Sequence, residues 1–321
     1  IISQLKECNV LNGILGFYEK LKKDVQEYID TAYLTNDDEF NEARRKLLVD
    51  PDKSPVFREP LFEPLKRYKE TTHGSEEAIK LSGINGLSTR DKELLLNFLN
   101  NISPLKYNSL YSHQIQSINC AFKEEKNFVV TTGTGSGKSF CFQIPMLLNI
   151  ISESVGSNGR RKWNGNSESG IAWWRNQDSR FTHKRVRTNR TPAIRALLMY
   201  PLNALVQDQV DGMRAVLSSD EALQFYNNVL GEDRIYFGQY SGSTMGSGTP
   251  SVNNCNLIKN ELRNIEDVCS KLQGEEKNKV PSLDRSELLT RWDMHDFPPD
   301  IFITNYSMLS IMLTREREQK M

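Results

Sequence analysis

Nine residues, Thr131-Thr-Gly-Thr-Gly-Ser-Gly-Lys-Ser139, have the types and spacing that handle a phosphate group. Three glycines in five positions let the backbone curl so that successive N–H groups point inward at phosphate oxygens. A helix beginning near Lys138 adds roughly half a positive charge at its N-terminus. Lys138 can reach the β- and γ-phosphates of a nucleotide, and the Ser139 hydroxyl can ligate Mg²⁺. The expected ATP and Mg²⁺ site is therefore Thr132, Gly133, Thr134, Gly135, Ser136, Gly137, Lys138 and Ser139, with Lys138 and Ser139 closest to the chemistry. The general pattern G-x-x-x-x-G-K-[ST] asks for glycine at position 132, where this chain has Thr132. The bland alternative is a glycine-rich turn between a strand and a helix that binds nothing.

Upstream, Gln114 lies in Leu110-Tyr-Ser-His-Gln-Ile-Gln-Ser-Ile118. A carboxamide can pair in bidentate fashion with adenine, and Tyr111 or Tyr107 could stack on the base. Alone, Gln114 reads as a surface residue of a helix; with the glycine loop downstream it becomes a candidate adenine reader. Three later segments end an apolar run in polar residues: Tyr200-Pro-Leu-Asn-Ala-Leu-Val-Gln-Asp-Gln209, Phe237-Gly-Gln-Tyr-Ser-Gly-Ser-Thr244 and Asp300-Ile-Phe-Ile-Thr-Asn-Tyr-Ser-Met-Leu309. Pro201 should end the first strand, and Asn203 is placed to cap the helix after it. A helix start facing outward at a strand's carboxyl end is also where a nucleic-acid phosphate would dock.

The elements that must position these residues follow from periodicity. Strands are expected over Phe128–Thr131, Ala196–Tyr200, Arg234–Tyr240 and Asp300–Thr304. Helices are expected over Lys138–Ser152, Asn203–Leu217, Asn256–Leu272 and Ser307–Arg315. Strands alternating with amphipathic helices predict an α/β fold with a parallel sheet and ligands at the carboxyl ends of its strands. Residues 1–105 read as a mainly helical accessory domain without site chemistry. There, Leu11, Ile14, Leu15, Tyr18 and Leu21, and then Leu94, Leu95, Phe98 and Leu99, keep helical spacing, and Asp50–Pro55, Pro60 and Pro64 make an extended connector.

No apolar run approaches the length needed to span a bilayer, and Ile1–Val10 has no signal-peptide pattern. Five widely spaced cysteines without a C-x-x-C pair argue against structural zinc and a disulfide framework, so a reducing cytoplasm is expected. The chain opens on Ile1 and stops after an amphipathic stretch, which suggests a fragment. Lys plus Arg number 41, as do Asp plus Glu, yet residues 156–195 hold ten bases against two acids. The rest of the chain therefore carries the compensating negative charge. This basic segment, an inserted loop over 156–193, interleaves Trp163, Trp173 and Trp174 with its cations. It could stack on bases and pair with phosphates, or its tryptophans could cover the parent core.

In order, Tyr-x-x-His-Gln, T-G-T-G-S-G-K-S, Y-P-L-N-A-L-x-x-D-Q, F-G-Q-Y-S-G and P-P-D-I-x-I-T-N-Y-S-M-L resemble the first RecA-like domain of superfamily 2 helicases. More narrowly, they resemble the large DEAD/DEAH-type helicases of bacterial anti-phage defence operons of the DISARM and Druantia kind. The resemblance spans about residues 105–315 and implies a P-loop parallel sheet with helices on both faces over 106–321. It implies Gln114 as adenine reader and the loop through Ser139 as motif I, whose superfamily 2 version Thr132 fits. It further implies nucleic-acid contacts, DNA favoured, at Pro201, Asn203 and Gln209 (motif Ia), at Gly242 within Gly238–Thr244, and at Thr304, Asn305 and Tyr306 (motif Ib).

Such enzymes also need an Asp-Glu-x-His/Asp box and a second RecA-like domain. Neither is expected here, because Asp38-Glu39 and Asp220-Glu221 stand at the wrong places. The implied protein is the N-terminal portion of an ATP-dependent DNA helicase or translocase, cytoplasmic, with no membrane partner and with other defence subunits as possible partners. Two alternatives stay open: a non-unwinding, nucleotide-gated DNA-binding scaffold, and the motor of a restriction nuclease.

Overall fold

A computed structural model describes residues 9–50, 52–54, 56–58, 89–102, 110–122, 126–133, 135–155, 172–177, 180–185, 190–230, 233–272, 276, 279–281, 283–316 and 318. Tyr107, Thr134 and Trp163 lie outside them. The chain divides into two compact units, residues 1–67 and 68–321.

The first unit contains helices α1 (Asn9–Ala32) and α2 (Asp38–Val49). Asp37 caps α2 by accepting a hydrogen bond from the Phe40 N–H, and Asp30 of α1 pairs with both Arg44 and Arg45 of α2 at 2.9 and 2.7 Å. The expected accessory region ran to residue 105. Its last helix, α3 (Thr89–Asn101), instead belongs to the second unit, because Phe98 and Leu99 are core residues there.

The second unit is an α/β layer structure. After α3 come α4 (Ser112–Phe122) and α5 (Lys138–Val155), then β1 (Ala196–Tyr200), α6 (Asn203–Leu217), α7 (Asp220–Asn228) and β2 (Phe237–Tyr240). The chain continues through α8 (Val252–Lys271), β3 (Glu287–Leu288), α9 (Arg291–Asp296), β4 (Ile301–Asn305) and α10 (Tyr306–Met312). The four strands form one sheet in the order β1-β4-β2-β3, parallel throughout. β4 lies inside the sheet, and its Ile301-Phe-Ile303 run is apolar at consecutive positions because both of its faces are covered. Ile301 and Ile303 face a cluster built from α3 to α7, whereas Phe302 faces Tyr240, Met294 and Met308. That alternation is the two-residue period of a strand.

One expected strand is absent. Residues 126–131 are described but form no ladder, and Val129 is 87% exposed. Phe128, Val129 and Val130 have the composition of a strand but no neighbouring strand among the described residues. β1 likewise stands at the end of the described sheet, with Leu197 and Met199 half exposed. The helix expected from Asn256 starts at Val252 because the Ser251 hydroxyl accepts from the Asn254 N–H.

The described part of the basic insert folds onto the body. Trp173 and Trp174 are 3% and 5% exposed and pack on Cys255, Ile258 and Leu262 of α8 and on Trp292. They cannot stack on bases, so for these two residues the core-covering alternative holds. The arginines follow them inward. Arg185, Arg190 and Arg195 converge on one buried carboxylate, Asp300, at 3.0, 3.2 and 2.9 Å, and Asp300 also accepts from the Tyr236 N–H at 2.8 Å. Arg190 also pairs with Asp233, and Arg195 with Glu153. Arg214 of α6 grips Glu287 of β3 through two bonds of 2.7 and 2.8 Å. Much of the insert's positive charge is thus neutralised by acids of the body.

Burial pushes the Asp300 carboxyl up, but Arg190 and Arg185, with the Tyr236 N–H, outweigh it and hold the group below its ordinary 3.8. A carboxylate lowered in the folded state contributes stability above its unfolded value, and that contribution is lost as pH falls below about 3.8. Asp300→Asn keeps the shape, removes the charge and strands the arginines. It should cost about 3–5 kcal/mol in urea unfolding at neutral pH and flatten the acid limb of the stability profile.

Candidate functional site

The glycine loop enters α5 as its residues require. Gly135 and Gly137 have φ of +74° and +69°, a region that disfavours side chains, and α5 begins at Lys138 with Ser139 next. The Ser136 hydroxyl donates to the Gly133 carbonyl at 2.9 Å, so its single proton is used. The Thr132 hydroxyl, 2.6 Å away, must therefore donate to the Ser136 oxygen. Thr132, where the general motif has glycine, cross-braces the loop. The Lys138 ammonium donates to the Thr132 and Gly133 carbonyls at 2.7 and 2.8 Å, so it sits over the loop.

A second brace comes from the start of α4. Gln114 accepts from the Tyr111 N–H at 2.9 Å and donates to the Gly137 carbonyl at 3.0 Å. His113 Nε2 lies 2.9 Å from the Ser136 carbonyl; a carbonyl only accepts, so this nitrogen carries a proton. Two adjacent side chains thus hold two adjacent loop carbonyls. Gln114 is 4% exposed, and its carboxamide ties the start of α4 to the Gly137 carbonyl. Tyr111 stacks on His113 with ring centroids 5.6 Å apart and planes 12° from parallel. His113 was not among the expected site residues. The His-Gln pair at a helix start signals it only once its partner carbonyls are known.

The strand-end residues separate into two groups. β1 and β4 are in register at Tyr200 and Asn305, so the helices after them start side by side. Asn305 caps α10 by accepting from the Met308 N–H at 2.6 Å, and its amide donates to Asn203 at 2.5 Å. Asn203 does not cap α6 as expected: Leu202 is the cap residue and Asn203 the first helical one. Its oxygen is turned to Asn305 instead. Tyr306 is 66% exposed beside them, and Pro201 and Leu202 are exposed at the same end. Gly242 follows β2, with open space where a side chain would stand. Arg291 holds the preceding carbonyl, that of Ser241, at 2.7 Å. Thr304 differs: it is fully buried, and its hydroxyl donates to the Tyr240 carbonyl at 2.7 Å. Gln209 is half-buried, with its carboxamide against Gln143 of α5 at 3.2 Å.

The two Asp-Glu pairs serve helix starts. Asp38 and Glu39 fill the first turn of α2, and Asp220 and Glu221 that of α7 behind the Ser219 cap. No helix among the described residues is long and apolar enough to cross a membrane.

The arrangement is a cationic, amide-rich loop at a helix start, beside parallel strands whose carboxyl ends carry outward-facing helix starts. Residues 111–266 match the family model of the DEAD/DEAH box helicases. The chain is also 26% identical, over a 357-residue alignment, to the Druantia protein DruE of Escherichia coli (strain UMEA 4076-1). That alignment takes in 96% of this chain and 17% of the relative, so the chain spans about a sixth of its length. No solved structure matches.

A methyl group added at Gly137 would lie 2.6 Å from the Gln114 amide nitrogen, at a φ that side chains avoid. Gly137→Ala should lower stability by about 1–3 kcal/mol. Gly135→Ala has the same backbone strain but meets nothing within 4 Å, and should cost less in the same thermal melt.

Proposed function

We propose that this chain is the N-terminal portion of an ATP-dependent DNA helicase or translocase, acting in the cytoplasm in defence against phage. Residues 106–321 would form its first RecA-like domain, with helices α1 and α2 as the accessory region. The observation that carries the reading is the braced glycine loop: two left-handed glycines lead into a helix whose first residue, Lys138, holds its ammonium over the loop. The helicase family match supports the motor class, and the likeness to DruE supports the defence setting.

The loop's chemistry fits ATP. Its N–H groups and the α5 N-terminus would take the phosphates. Lys138 would exchange its two carbonyl partners for phosphate oxygens, and the Ser139 hydroxyl would offer an oxygen to Mg²⁺. Bound ATP supplies the phosphoanhydride bond whose cleavage drives motion. Thr132 and Ser136 brace the loop from within, and Gln114 and His113 hold the Gly137 and Ser136 carbonyls in place. In this proposal Gln114 still reaches adenine, through the second hydrogen that its amide nitrogen retains. Tyr111 would flank the base, and Thr134 would complete the loop. Nucleic acid would lie across Pro201, Asn203, Gly242, Asn305 and Tyr306. Thr304 would act from beneath by fixing β4 to β2, and Gln209 from the side of α6.

Lys138→Ala should weaken binding of a fluorescent ATP analogue by about 10- to 100-fold, the worth of a charge-assisted hydrogen bond. The chain alone should show almost no steady-state ATP turnover. Multiple turnovers abolished by Lys138→Ala would refute the view that hydrolysis needs further residues. Unchanged nucleotide affinity in that variant would refute the nucleotide site itself.

A further inference from the structure

The side chains of Gln143 and Gln209 join two helices that otherwise serve different ends of the proposed site. Gln143 lies on α5, four residues after Ser139 and therefore on the same face of that helix. Gln209 lies on α6 in one stripe with Leu205 and Leu202, which are exposed where the helix starts. The Gln143 amide donates to the Gln209 oxygen at 3.2 Å, and the Gln209 amide in turn donates to Asp208 at 3.4 Å. Gln143 is 7% exposed and packs among the apolar side chains of α5, where a carboxamide costs free energy unless it is bonded. From the start of α6 the polar path continues through Asn203 to Asn305 and so to the cap of α10.

We propose, resting on the function above, that the Gln143–Gln209 pair is a positioning link between nucleotide and nucleic acid. Helices are stiff, so a small shift of α5 as Lys138 and Ser139 engage phosphate is delivered one turn later at Gln143. The bond passes it to α6, whose first turn, with that of α10, faces the nucleic acid. Each ligand then alters the other's affinity by the same factor, as thermodynamic linkage requires. The two helices share one apolar core, whereas the bond fixes their axial register.

The test measures that factor. Affinity of the chain for a fluorescent, non-hydrolysable ATP analogue is determined with and without saturating oligothymidylate, and the reciprocal pair is measured as a check. Gln143→Leu and Gln209→Leu should each reduce the coupling factor severalfold toward one, and the double variant should reduce it no further. In Gln143→Leu, at a residue assigned to neither ligand, affinity for each ligand alone should change less than twofold. Gln143→Glu combined with Gln209→Lys, which restores a bridge and leaves Asp208 a cationic neighbour, should recover coupling that either change alone removes. An undiminished factor in both leucine variants, or effects that simply add, overturns the link. A wild-type chain that binds either ligand but shows a factor of one also overturns it. Failure to bind ATP analogue or oligothymidylate at all would instead refute the functional reading on which the link depends.

Discussion

The second unit hangs on one buried carboxylate. Asp300 precedes the central strand, and its backbone carbonyl accepts from the N–H groups of Arg195 and Ala196 as β1 begins. Its side chain takes the Tyr236 N–H just before β2 and the guanidinium groups of three arginines. Charges buried this deeply are tolerated only when paired and hydrogen-bonded on every side. The acid therefore sets the relative heights of β1, β4 and β2 at their amino ends. Parallel strands have no hairpin turn to set their register, so a shared anchor does that work. Register at the amino ends then fixes where the carboxyl ends finish, which is where Asn203, Asn305 and Gly242 stand.

The glycine loop obeys the same logic on a smaller scale. A loop whose N–H groups are to face a ligand must dispose of its carbonyls elsewhere. Thr132 and Ser136 close it from within, while His113 and Gln114 hold it from α4. Lys138 bonds to the carbonyls nearest its position, and exchange of those neutral acceptors for anionic phosphate oxygens would strengthen its bonds. The loop is thus preorganised in its backbone and adjustable in one side chain.

Much of this was legible in the residues. The span Asn203–Leu217 is the helix that periodicity marked, and the T-G-S-G-K-S run placed the start of α5 at Lys138. Ala196–Tyr200 matched its strand because Pro201 ends it. What misled were residues with two good uses. Asn203 looks like a cap and instead bonds sideways to Asn305, a partner a hundred positions away. Thr304 looks like a strand-end polar group, yet its hydroxyl ties β4 to β2 inside the sheet. Phe128–Thr131 has strand composition, but a strand exists only where a neighbour supplies hydrogen bonds. Trp173 and Trp174 among arginines suggest a nucleic-acid surface, and local pattern could not reveal that acids of the body would draw that segment inward. Short β3 carries too few residues for any periodicity to show.

β1 gives the chain a further property. Its outer edge has no described neighbour, Leu197 and Met199 stand half exposed, and Phe128 and Val129 add extended apolar surface in the same unit. Backbone donors and acceptors without a strand partner among the described residues, beside apolar side chains, form a template to which another extended segment can add. Self-association through this edge should therefore rise with concentration and temperature, and a short strand-forming peptide would compete with it.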